Sequence, residues 1–275
     1  MDANHVPAGA CDCHAHVFWP PARFPFASAR SYTPPERLPS DYRAMLQRVG
    51  LARGVIVQPT VYGTDNRPTL AALAELGDRV RGVAVLSPEI ADNELSALAA
   101  SGIRGARINA LTPGGTSLDH LEAMAARLKG SGWHIQIFAD FPRRPDRIPR
   151  IRGVGVPVVI DHLGAIGPEL GAGDPAFSGI VGLLRDGLCW LKLSGPYIVS
   201  RQHLPYSDIA PVAAGFVEAC PERLVWASDW PHPSTNEAPD EADLLILLDR
   251  WAPDAAIRKR ILVDNPVELY GFDRR

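Results

Sequence analysis

Short runs of Val, Ile and Leu recur along the chain, each followed by a longer stretch in which apolar residues return every three to four positions. The runs at 11–17, 54–58, 82–86, 105–109, 134–138, 158–162, 190–194 and 224–228 read as strands, several of them apolar on both faces, as strands buried between two layers must be. Helical spacing marks 41–49, 68–76, 93–100, 118–129, 177–186, 209–219, 241–251 and 254–263. Eight strands alternating with helices predict a parallel sheet that closes on itself, a single-domain (β/α)8 barrel of the TIM type over residues 1–275. Three segments rich in Gly or Pro, 19–39, 111–116 and 164–174, each follow a strand. They are expected at the end of the barrel where loops wall an active site.

Composition narrows the partners. The chain has 275 residues, 46% hydrophobic and 21% charged, enough apolar material for one large core. Its 28 Lys and Arg against 31 Asp and Glu leave a formal charge of −3, which gives no reason to seek nucleic acid or an anionic membrane, so a small molecule is the expected partner. The first ten residues carry no basic stretch leading into an apolar one, and no apolar run approaches the roughly 20 residues that span a bilayer. A cytoplasmic protein is expected, with its assembly as monomer or homo-oligomer left open. Cys11, Cys13, Cys189 and Cys220 are too few for a disulfide framework and read as small buried hydrophobes.

The chemistry gathers at strand ends. In Cys11-Asp-Cys-His-Ala-His16, the alternation of a strand puts His14 and His16 on one face, so two imidazoles can converge on one ion or one carbonyl oxygen. Far downstream, His162 stands where the apolar run 158–162 gives way to a loop, and Asp229 lies just past 224–228. These segments, His14-Ala-His16, Asp161-His162 and Ser228-Asp229-Trp230-Pro231-His232, resemble the amidohydrolase superfamily, and within it the 2-pyrone-4,6-dicarboxylate lactonase-like group. The stretches 58–66 and 104–109 and the pair Asn265-Pro266 extend the similarity along nearly the whole chain.

The resemblance implies a barrel hydrolase acting on lactones, with His14, His16, His162 and Asp229 catalytic. It also implies independence from metal. The superfamily's usual two-metal site takes a Lys or Glu from strand four and a His from strand five, whereas this chain offers Arg107 and Asn109, then Gln136. No cofactor is therefore expected; the alternative is one zinc held by His14, His16, Asp229 and His162. Without metal, the histidines would polarise the lactone carbonyl while Asp229 deprotonates the attacking water.

Arg107 is expected to face the barrel interior and hold a substrate carboxylate, the competing reading being a structural salt bridge. Tyr32, Thr60, Gln136, Tyr197 and Arg201 are further substrate-contact candidates, and His232 is read as a group that orients Asp229. Trp19 and Trp230 are candidates for the pocket wall. The expected activity is hydrolysis of a carboxylate-bearing lactone. Sugar-lactone isomerisation, metal-dependent nonhydrolytic decarboxylation and a noncatalytic ligand-binding barrel stand as alternatives.

Overall fold

The computed structural model describes residues 6–112, 115–235 and 237–273. His5 and part of the 111–116 loop fall outside them. Eight strands run in sequence order around one sheet: β1 (Cys11–Ala15), β2 (Arg53–Val57), β3 (Val80–Ala84), β4 (Ile103–Asn109), β5 (His134–Phe138), β6 (Val158–Ile160), β7 (Cys189–Leu193) and β8 (Leu224–Trp226). Each pairs in parallel with the next. Just beyond β8 the sheet closes on β1, where the His16 amide donates to the Trp230 carbonyl at 2.7 Å and the Asp229 amide to His14 at 2.9 Å. The eight expected strands are all present, and the barrel is of the TIM type.

The helices are α1 (Pro39–Val49), α2 (Arg67–Leu76), α3 (Asp92–Ala100), α4 (Leu121–Leu128), α5 (Ile148–Arg152), α6 (Pro175–Arg185), α7 (Pro196–Val199), α8 (Ala210–Ala219), α9 (Glu241–Trp251), α10 (Ala255–Lys259) and α11 (Asn265–Tyr270). Their starts are written in the sequence: Asp174, Asp240 and Asp254 each accept the first free amides of α6, α9 and α10. A typical helix, α1, buries Tyr42, Met45, Leu46 and Val49, each apolar side chain contributing about 1.5–3 kcal/mol on leaving water. The single helix expected at 254–263 is broken by a wide turn at Arg260–Asp264, after which Pro266 sits in the first turn of α11. Among the described residues no helix is long and apolar enough to cross a membrane.

Two apolar layers result. Outward-facing strand residues such as Ile56, Ile108, Ile137, Ile160 and Leu193 pack with the helices, while Cys11, Cys13, Val55, Val57, Val83, Val159 and Val225 fill the barrel, with Tyr270 and Phe272 in the same cluster. Strict alternation would oppose Cys13 and His14, yet both point inward. The β1–β2 register shifts between Asp12 and Ala15, and this irregularity turns the two histidines into the barrel. All four cysteines are buried free thiols.

Candidate active site

The ends of β1, β6 and β8 bring His14, His16, His162 and Asp229 together. Asp229 Oδ1 lies 3.6 Å from His14 Nε2, 3.7 Å from His16 Nε2 and 4.0 Å from His162 Nε2. The two β1 imidazoles meet at 3.3 Å between their Nε2 atoms. All four residues are at most 3% exposed. His162 and Asp229 also take φ of +51° and +62°, a left-handed backbone that costs a non-glycine residue about 1–3 kcal/mol and persists where surrounding contacts enforce it.

Each group has a fixed outer partner. His16 Nδ1 donates to the Val57 carbonyl at 2.7 Å, because a carbonyl oxygen can only accept, and its Nε2 is left with a free lone pair in the neutral ring. His162 Nδ1 lies 2.9 Å from the Ser194 hydroxyl. The Tyr197 hydroxyl donates to Asp229 Oδ2 at 2.5 Å, and His232 Nδ1 stands 3.4 Å behind that hydroxyl with its Nε2 3.0 Å from Glu241. His232 thus reaches the Asp229 side chain through Tyr197. Asp12 staples the barrel seam, its carboxylate accepting from the Ser228 amide at 2.8 Å, the Ser228 hydroxyl at 2.6 Å and Tyr42 at 3.1 Å.

Burial sets the charges. It pulls His16 down to about 4, with Arg107 adding to the shift, and it lowers His14 and His162 as well. These imidazoles are neutral at pH 7. Burial would raise the Asp229 carboxyl, but the attraction of His162, His14 and His16 as they take up protons in acid, with the Tyr197 hydroxyl, outweighs it and holds it at about 2; at pH 7 a carboxylate faces three neutral rings. Tyr197 is pushed well above its usual value by burial and by Asp229, which keeps its proton in place for that bond.

Above this cluster opens a cavity of about 200 Å³ lined by His16, His162, Asp229, Arg107, Tyr32 and Thr60, with Ser31, Asn109, Thr112, Phe138, Pro233 and Ser234 at its walls. Arg107 is 4% exposed and donates to the Gln58 carbonyl at 2.9 Å, while its Nε has no partner. No carboxylate pairs with it among the described residues, so the structural salt bridge is not formed. The first long loop supplies Ser31 and Tyr32 and the second Thr112, whereas none of the described side chains of 164–174 lines the cavity.

Three of the proposed contacts sit elsewhere. Arg201 is 70% exposed in its side chain and pairs with Glu169 at 3.2 Å on the surface, because the loop after α7 turns it outward. Gln136 lies beneath the cavity, its amide nitrogen donating to Asp161 Oδ2 at 2.9 Å and its oxygen accepting from Lys192 at 2.8 Å. Tyr197 serves Asp229 and is not among the residues lining the cavity. Trp19 and Trp230 do not line it either: the first donates to the Pro68 carbonyl and the second packs on Tyr42.

Two residues of that lower layer were not singled out from sequence as site residues. Lys192 and Asp161 are fully buried and 3.3 Å apart, and Lys192 Nζ also lies 3.2 Å from His14 Nδ1. Burial lowers the lysine against the pull of Asp161, while Lys192 and His14 outweigh burial to lower Asp161. The available signal was a lysine at the centre of an apolar strand, where no water is within reach of its ammonium.

Known proteins share this arrangement of sequence. The chain is 37% identical to a 4-sulfomuconolactone hydrolase of Rhizobium radiobacter over 97% of its length and 91% of the relative's. It is 35% identical to a 2-pyrone-4,6-dicarboxylate hydrolase of Comamonas testosteroni, covering 96% of this chain and 91% of that one. A D-galactarolactone isomerase of Agrobacterium fabrum is 33% identical over 96% and 91%. The family model described as amidohydrolase matches residues 11–272, and the chain belongs to that family.

Proposed function

We propose that this protein is a hydrolase that opens a carboxylate-bearing lactone by water attack on the ring ester, with residues 1–275 acting as one unit. The observation that carries the reading is Arg107, a buried cation without an acidic partner among the described residues, opening onto the same cavity as Asp229 and His162. A desolvated guanidinium in that state attracts a carboxylate strongly and can hold it through two parallel hydrogen bonds. Tyr32 and Thr60, on the same wall, add hydroxyl donors. The names of the two hydrolase relatives support a lactone substrate.

The geometry supports the following roles. Asp229 Oδ1, free of the Tyr197 bond, accepts a proton from water as it attacks the carbonyl carbon. His162, with its Nδ1 accepting from Ser194, presents Nε2–H to the carbonyl oxygen as negative charge gathers there. His16, with His14 packed behind it, flanks the attacking water. The proton taken by Asp229 passes to the ring oxygen as the ester C–O bond breaks.

Two groups have the ligand types and the spacing for a cation, His14 with His16 and Asp229, and His14 with Asp161 and His162. Tetrahedral zinc with bonds of about 2.0–2.1 Å separates its ligands by about 3.3 Å, close to the distances found. The donor set does not fit, because the His14 ring faces the Lys192 ammonium and Arg107 adds a second positive charge beside His16. We therefore propose catalysis without metal, one zinc being the alternative. The four free thiols suit a reducing cytoplasm.

The test is a screen of carboxylated and neutral lactones with the product mass recorded and metal measured on the same preparation. Gain of one water with release of a proton supports hydrolysis. A product of unchanged mass replaces it with isomerisation, which the isomerase relative favours, and activity lost with chelation and restored by zinc replaces the metal-free route.

A further inference from the structure

The lower layer of the barrel surrounds His14 with polar groups that bear on where its ring proton sits. An ammonium has three N–H groups and no acceptor. Lys192 Nζ donates to Gln136 Oε1 at 2.8 Å and lies 3.2 Å from His14 Nδ1, with Asp161 Oδ1 3.3 Å away as an ion-pair partner. The Gln136 amide is oriented by the same pair, oxygen toward Lys192 and nitrogen toward Asp161 Oδ2. In this arrangement His14 Nδ1 accepts, so in the neutral ring the proton resides on Nε2. His16 is fixed the opposite way by Val57, with a bare Nε2. The 3.3 Å contact between the two Nε2 atoms is then a hydrogen bond from His14 to His16.

The competing arrangement gives His14 a proton on Nδ1, donated to Asp161 Oδ1. That oxygen is 3.4 Å from Nδ1 but lies off the line of a ring N–H and makes no hydrogen bond. The geometry favours Lys192 as the donor.

We propose that Lys192 is a positioning residue that locks His14 in the Nε2–H tautomer, making the β1 pair one donor and one acceptor rather than two lone pairs. On the hydrolytic reading, the His14 N–H anchors the His16 ring beside the water that Asp229 deprotonates, and this part of the inference rests on that reading. A zinc ion needs both lone pairs, so the same lysine keeps the pair from chelating.

The test uses the full-length protein, stripped of metal and labelled with 15N, and reads histidine tautomers from two-bond 15N–1H correlations. Wild type is expected to show His14 as Nε2–H and His16 as Nδ1–H; His14 as Nδ1–H overturns the proposal whatever the activity. In Lys192→Met, which keeps the side-chain length, His14 is expected to shift toward Nδ1–H. Titration with zinc chloride alone is then expected to give at least about tenfold tighter binding than wild type, and kcat to fall on the order of 10²-fold with KM little changed. Unchanged tautomer, zinc affinity and kcat in a variant that melts cooperatively overturn it. If the variant fails to fold, the wild-type spectrum decides alone. A wild type lacking lactonase activity but showing the Nε2–H tautomer sinks the proposed function and leaves the Lys192 assignment standing.

Discussion

The Tyr197 hydroxyl donates to one oxygen of Asp229 across 2.5 Å, and that bond makes the two carboxylate oxygens unequal. Oδ2 is occupied, so Oδ1 alone faces the imidazoles and the cavity. Asp229→Asn removes the proton acceptor while keeping the shape, and kcat is expected to fall about 10³-fold with KM nearly unchanged. Tyr197→Phe removes only the orienting bond, and about a ten- to hundredfold loss in kcat is expected. Steady-state kinetics on one lactone compare the two; a larger loss for Tyr197→Phe than for Asp229→Asn would reverse their roles.

Arg107→Met keeps the bulk of the side chain and deletes its charge. A charge-assisted hydrogen bond contributes about 1.5–3 kcal/mol, so KM for carboxylated lactones should rise roughly ten- to a hundredfold while neutral lactones change little. Equal effects on both classes would return Arg107 to a purely structural part.

The pH profile should be flat where histidine enzymes often turn. His16 titrates at about 4 and Asp229 at about 2, so both hold their working states from pH 8 down to pH 6. A fall in kcat/KM is expected below the ordinary histidine range, as His162 and His14, both lowered by burial, and near pH 4 His16 gain protons. An acid limb centred near 6.5 would mean that an imidazole of ordinary basicity governs the reaction.

His134, at the start of β5, is fully buried with neither ring nitrogen bonded, and burial pulls it down to about 3. Its folded value lies below its unfolded value of about 6.5, so the unfolded chain binds the extra proton and stability drops as the pH falls from 6.5 toward 3. His134→Leu removes this penalty. The variant should melt no lower than wild type at pH 7.5 and gain roughly 2 kcal/mol relative to it at pH 5, read by thermal unfolding at both values. An equal difference at the two pH values would show that the ring does not titrate on unfolding.

The barrel was legible because strand and helix periods differ and the strands recur eight times. His14, His16, His162 and Asp229 were legible because strand ends of a parallel barrel share one mouth. Their neighbours were harder to read. Arg201 lies in a loop with no period to orient it, and the pairing irregularity after Asp12 leaves no mark in residue type. Lys192 sits between Leu191 and Leu193, where pattern reading sees only a buried strand. That its ammonium would meet His14 of β1, Gln136 of β5 and Asp161 beyond β6 depends on barrel stagger, which local sequence does not encode.

Arg107 carries one more consequence. Opening a ring ester creates a new acid, so product leaves the site with one negative charge more than the substrate brought in. A cation unmatched by any described carboxylate therefore grips what it has made more firmly than what it takes up. Reaction progress is expected to slow early as product accumulates and to recover with added salt, marking the product as an inhibitor held by the same cation that binds the substrate.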